Sequence, residues 1–210
     1  DVQGQAHVLL AQGVHLIAEG RFDESVKALD QGIEVARKAG ISNTYTSPLF
    51  AWKATALRCL LERESPLTRS HRRAIIKAHR SAARQAVLIA VRFRNELPHA
   101  LREYAWAHVF RNKNRRAVLL LTKSVQVAHK QSAEYERIQS QQLLQKIRME
   151  MGYPDASKAL DETDRQFTAF RNDQLPQRIV SSLSLADRFD SLLESGRQIA
   201  SAIEPATIVR

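Results

Sequence analysis

The chain has 210 residues, 44% of them hydrophobic, with six prolines and seven glycines, which excludes a disordered polymer and leaves too few glycines for the tight turns of an all-β fold. Its net charge of +10 is unevenly placed: residues 66–130 hold 15 Lys/Arg against Glu96 and Glu103, a balance of +13, and the remainder balances at −3. No uncharged apolar run reaches the roughly 18 residues of a transmembrane helix, and the opening DVQGQAHVLL lacks the layout of a signal peptide.

The single cysteine, Cys59, rules out an internal disulfide and fits a reducing cytoplasm, the expected location. Because the chain starts at Asp1, it is expected to be a piece of a longer protein.

Helix signals run in chain order from the start. A first pair is predicted over 5–18 and 22–39, with Gly20 as the stop between them and Phe22 opening the second helix. Gly13, Ser25 and Gly32 are small residues placed where the two helices must approach closely, and Leu29 belongs to the apolar stripe Phe22, Val26, Leu29, Ile33 and Ala36. Asp23 and Glu24 in the first turn and Arg37 and Lys38 in the last complement the helix dipole, and Gly40 ends the helix.

After Ser42-Asn43-Thr44, a third helix is predicted over 47–63, with Phe50, Ala54, Leu57 and Leu61 as its stripe. Ser65-Pro66 breaks it, and a long fourth helix follows over 67–94. Ile75, Ala78, Ala82, Ala86, Ile89 and Phe93 line one side of that helix, and Arg69, Arg73, Lys77, Arg80 and Arg84 the other. Asn95 to Pro98 is the next break, and a third pair covers 98–111 and 115–130 around the turn Asn112-Lys113-Asn114. A fourth pair covers 132–151 and 155–171 around Gly152-Tyr153-Pro154.

Asn172 to Gln177, with Pro176, reads as the start of a linker over 172–183. A last helix over about 185–203 is expected within a connector segment, 184–210. Leu185, Phe189, Leu192, Ile199 and Ile203 recur there at steps of four, three and seven, a candidate dimer seam. No strand-like alternation persists. A single hairpin buries too few large apolar side chains, at about 1.5–3 kcal/mol each, to offset the ordering of its residues, so neighbouring hairpins must share a core.

The first unit, Leu9, Gly13, Leu16, Phe22, Ser25, Leu29 and Gly32, resembles a tetratricopeptide repeat, and the third pair matches the same pattern at Leu101, Ala105, Ala117, Leu121 and Ser124. The resemblance covers residues 5–171 and implies an all-α fold: a right-handed α-α superhelix of stacked helical hairpins over 1–171, with a separate C-terminal helix. The family unit is 34 residues long. The phrases Leu97-Pro98-His99-Ala100-Leu101-Arg102-Glu103 and Arg115-Arg116-Ala117 are similar to the repeat region of large bacterial ATPase/kinase signalling proteins. Leu183 through Ala202 is similar to the connector entering a GAF output domain there. That resemblance implies a non-catalytic protein-interaction and regulatory module of a multidomain signal-transduction protein. Its partners would be proteins or neighbouring domains of the same polypeptide, with homodimerisation through the last helix.

No Walker motif, GxGxxG or HExxH occurs, so no catalytic residue, cofactor or metal is expected. The seven histidines read as scattered, solvated or satisfied side chains; His71 and His79, two turns apart, are too far from each other to share a metal. Cys59 reads as a small core residue. Trp52 and Trp106 lie on the first helices of their pairs, where packing between repeats is favoured over a role as binding anchors. The basic face within 66–130 supports an alternative function, binding of nucleic acid or another anionic partner. The lack of aromatics on that face weighs against nucleic acid and for a dock facing an acidic protein domain. A small ligand held inside the superhelix is a further alternative.

Overall fold

The computed structural model describes residues 2–63 and 68–177. These form eight helices: α1 (Val2–Ala18), α2 (Phe22–Lys38), α3 (Pro48–Glu62), α4 (Arg69–Ala90), α5 (Leu97–Val109), α6 (Asn114–Lys130), α7 (Glu134–Glu150) and α8 (Ala156–Gln177), with one 3₁₀ turn at Arg94–Glu96 before α5. The all-α class and the hairpin-like pairing of consecutive helices follow directly. Each helix packs on the next in sequence. In addition α1 touches α3, α3 touches α5 and α5 touches α7, whereas no comparable contact joins the even-numbered helices to one another among the described residues. Helix α5 is consequently enclosed, with Leu97 through Glu103, Ala105, Ala107 and His108 all buried.

The apolar core is a chain of overlapping clusters. Leu10, Val14, Leu29, Ala36 and Leu49 join α1, α2 and α3. Leu57, Leu60, Leu61, Ile75 and Ala82 join α3 to α4, with Phe22 of α2 packed against them. Ala86, Ala90, Leu97 and Leu101 carry the core into α5, and Ala105, Ala117, Leu121, Leu144 and Ile147 extend it through α7. Ala105, Ala117 and Leu121 are fully enclosed.

Close approach of α1 and α2 depends on small residues. A Cβ at Gly13 would lie 2.5 Å from Leu29 Cγ, and one at Gly32 would lie 2.8 Å from Leu49 Cδ2. Ser25 is fully buried and donates its hydroxyl hydrogen bond to the Gly13 carbonyl at 2.7 Å. The α5–α6 pair repeats this geometry 92 residues later. Ala105 stands for Gly13 and Leu121 for Leu29; Ser124, at the place of Gly32, donates to the Pro98 carbonyl at 2.8 Å.

Five helix ends share one cap. Gly20, Gly40, Asn112, Ser132 and Gly152 all take positive φ, between 54° and 80°. At each, the next residue's N–H reaches back five positions: Arg21 to Leu16, Ile41 to Ala36, Lys113 to His108, Ala133 to Ala128 and Tyr153 to Arg148, at 2.9–3.1 Å. This is the Schellman arrangement, which satisfies carbonyls left open at a helix end. Within each run the left-handed residues stand 20 apart, so a helix pair occupies 40 residues. That is longer than the 34-residue unit implied by the resemblance. The α3–α4 pair breaks the rhythm, with helices of 15 and 22 residues, an extended Arg63 at the end of α3 and no left-handed residue after α4.

Two predicted boundaries are corrected. The fourth helix, expected to reach 94, stops at Ala90, because Leu97-Pro98 opens α5 with proline in its first turn and the intervening residues make the connecting turn. The eighth, expected to end at 171 before a linker, continues through Gln177. The rest of the linker, the connector over 184–210 and its candidate seam Leu185, Phe189, Leu192, Ile199 and Ile203 lie outside the described residues.

Two stability changes follow. Gly13→Ala gains helix propensity but drives its methyl into enclosed Leu29, and should lower unfolding free energy by about 1–2 kcal/mol in urea denaturation. Ser132→Gly relieves a left-handed β-carbon and should raise it by about 0.5–1 kcal/mol in the same assay.

Candidate functional site

The three central helices meet on one carboxylate. Thr55 and Arg58 come from α3, three residues apart; His79 comes from α4; His99 and Glu103 come from α5, four residues apart, so each pair shares a helix face. Glu103 has no exposed surface. Its Oε1 accepts from Thr55 Oγ1 at 3.0 Å and from Arg58 Nε at 3.2 Å; its Oε2 lies 3.2 Å from Arg58 Nε and 3.3 Å from His79 Nε2. His99 Nε2 sits 2.8 Å from Thr55 Oγ1. With His99 donating to Thr55 and the hydroxyl donating on to Glu103, all three groups are satisfied.

The surrounding shell extends the network. Arg58 also pairs with Glu62 at 2.8 Å and lies over the Trp106 ring, 5.5 Å from its centroid. Trp52 meets His99 edge to face at 4.9 Å, and Phe110 meets His79 at 5.3 Å. Arg102 of α5 forms an ion pair with Glu136 of α7. Helices α3, α5 and α7 are thus cross-linked by polar contacts along their shared layer.

Burial alone would push the Glu103 carboxyl up. The Arg58 charge and the His79 hydrogen bond outweigh it and hold the carboxyl far below the usual range, so it is ionised. Burial dominates at His99, which is lowered to about 4; the pull of Glu136 is countered by Arg102. The site is therefore an anion clasped by a guanidinium, with a neutral imidazole beside it. Removing one partner of such a buried pair typically costs about 3–5 kcal/mol, which makes the clasp a device for fixing the register of α3, α4 and α5.

The other sequence-derived candidates fall elsewhere. Arg69, Arg73, Lys77, Arg80 and Arg84 are all exposed on α4, opposite buried Ile75, Ala82 and Ala86. His71 is exposed and His79 is buried, so these two histidines are not brought together. Among the described residues no three His, Cys, Asp or Glu side chains converge as a metal site. Cys59 is half-buried, and burial pushes its thiol up against the pull of Arg58. Trp52 and Trp106 are half-buried, packed between α3 and α5, and Trp52 Nε1 has no partner among the described residues.

Sequence reasoning passed over the clasp. Its one visible signal was that Glu103 is one of two acids in a segment holding 15 basic residues, on the same helix face as His99. No helix among the described residues is long and apolar enough to cross a membrane. No protein-family model matches the chain, and no curated protein gives a significant match.

The clasp carries a pH dependence of known sign. The native His99 stays neutral down to about 4, whereas the unfolded side chain protonates near 6.5, so between these values the unfolded state binds more protons and stability falls as pH falls. From pH 7 to pH 5 this group should remove about 2 kcal/mol of unfolding free energy. Urea denaturation of His99→Gln at both pH values should show a loss smaller by that amount than in the unaltered chain.

Proposed function

We propose that this chain is a non-catalytic protein-interaction and regulatory scaffold: a tetratricopeptide-like, right-handed superhelix serving a multidomain signalling protein. The observation that supports it most directly is the asymmetry of the helix layers. Among the described residues the odd-numbered helices touch one another in series and the even-numbered ones make no comparable contact. Hairpins packed closer on one side than the other bend into a curved stack, and such stacks present extended surfaces for recognition. The polar cross-links between α3, α5 and α7 fill the inner layer, so recognition falls to the outer faces. There the exposed row Arg69, Arg73, Lys77, Arg80 and Arg84 suits an acidic surface on a partner protein or on a neighbouring domain of the same polypeptide. The connector over 184–210 would link the stack to a downstream module and pair with its copy in a dimer.

The test uses the full-length gene product. Lysine-directed cross-linking should join Lys77 to an acidic segment of another domain or protein, and the paired charge reversal Arg73→Glu with Arg80→Glu should abolish that cross-link while leaving the helical circular-dichroism signal intact. Salt-sensitive binding to duplex DNA, lost in the same variant, with no protein cross-link would replace the scaffold reading with nucleic-acid binding.

A further inference from the structure

We propose that the corner between α5 and α6, with Arg80 of α4 beside it, is a binding site for a compact polyphosphate: several negative charges on adjacent phosphoryl groups, free or as the tail of a nucleotide. The corner is an open notch of about 400 Å³ lined by Asn112, Lys113, Asn114, Arg115, Arg116 and Met151. Arg111 precedes it in the turn, and all five basic side chains, Arg80, Arg111, Lys113, Arg115 and Arg116, are exposed. Three separate elements thus supply cations to one place.

None of these five takes part in an ion pair among the described residues. Five arginines elsewhere have carboxylate partners, Arg21 with Glu24, Arg37 with Glu34, Arg58 with Glu103, Arg102 with Glu136 and Arg137 with Glu134, whereas the corner shares its lack of ion pairs with the α4 row of Arg69, Arg73 and Arg84. The charges at the corner act on one another instead. Arg111, Arg116 and Arg80 push Lys113 below its ordinary proton affinity. His108 lies within reach of the same group; burial lowers it first, and Arg116, Arg111, Lys113 and Arg80 lower it further. Its Nδ1 is buried without a partner among the described residues.

Helix physics does not call for this arrangement. The first turn of α6 holds no acid and its N-cap, Lys113, provides no side-chain acceptor, although the positive end of the dipole favours an anion there. The α1–α2 corner has the same backbone cap 92 residues earlier and meets the ordinary requirement: Asp23 and Glu24 stand where α6 has Arg115 and Arg116, and Glu24 pairs with Arg21. The notch therefore sets three cations, Lys113, Arg115 and Arg116, and two amide side chains around the start of α6, with Arg80 and Arg111 near enough to act on Lys113 electrostatically. A carboxylate side chain brings one charge to such a volume, and a nucleic-acid strand spreads its charges along several nucleotides. Linked phosphates concentrate them, and arginine forks match phosphoryl oxygens in pairs.

The experiment titrates pyrophosphate into the full 210-residue chain at low ionic strength, followed by calorimetry and by backbone amide shifts. Saturable binding at one site is expected, with shifts centred on Asn114, Arg115 and Arg116 and a rise in melting temperature. Lys113→Gln with Arg116→Gln should weaken binding by about tenfold or more, while the ligand-free variant melts no lower than the unaltered chain because like charges have been removed. A nucleoside triphosphate binding as tightly as pyrophosphate assigns recognition to the phosphates alone, and tighter binding adds the nucleoside; both support the site. Absence of saturation, binding unaffected by the double substitution, or tighter binding of an oligoglutamate peptide or duplex DNA at the same amides would overturn it. Because the probe is a small anion, these outcomes are independent of whether Lys77 contacts a partner protein.

Discussion

A single ionised carboxylate governs the middle of this protein. Glu103 is sealed from water on α5, yet the two neighbouring helices α3 and α4 aim three side-chain donors at it. A charge in that position is tolerable only while Arg58, His79 and Thr55 hold their places, so the helices that carry them must keep one axial register. Apolar packing alone does not impose this: alanines and leucines at an interface tolerate small slides that a clasped carboxylate does not. The flanking pairs obtain register by other means. Gly13, Ser25 and Gly32 bring α1 and α2 together through steric fit, and Ala105, Ala117 and Ser124 do so for α5 and α6.

The division of labour coincides with a break in length. Where the left-handed caps recur every 20 residues, the helices have 17 residues and pack through small side chains; α5, at 13, is the short exception. The α3–α4 pair does not keep those lengths, and α4 ends without the left-handed cap; it is the pair that faces Glu103. Polar specification thus sits where repetition fails. Helix α5 belongs to both regimes, presenting His99 and Glu103 to the irregular pair and Ala105 to the regular one.

Much of this was legible in the order of residues, and the reasons differ by feature. Helix periodicity, the stops at Gly20, Gly40 and Gly152, and the small residues at 13, 25 and 32 are local signals, because each reports a backbone or steric demand within its own hairpin. Ser132 escaped notice as a cap because serine carries no preference for positive φ; only the tertiary context requires it there. His79 was visible on the Ile75–Ala82 face but read as unremarkable, since its burial depends on a carboxylate 24 positions away. The end of α8 differs from the expected boundary, because Asn172 and Pro176 suggest a stop that the helix passes. The α4 basic row was plain from periodicity. Its continuation into Arg111, Lys113, Arg115 and Arg116 was hidden, because a neighbouring corner supplies it.

The unusual length of α4 has a consequence of its own. Its 22 residues span about 33 Å against about 26 Å for a 17-residue helix, and Arg69 through Ala74 are all exposed. The leading turn and a half thus adds no buried side chain to the stack, and Arg72 tethers it to α3 by donating to the Leu61 carbonyl at 3.2 Å. Adding or deleting a helical turn in that overhang would alter how far its guanidinium groups project at the expense of the Arg72 tether, while leaving the apolar packing from Ile75 onward unchanged. It is a place where reach can be tuned by chain length at almost no cost to the architecture.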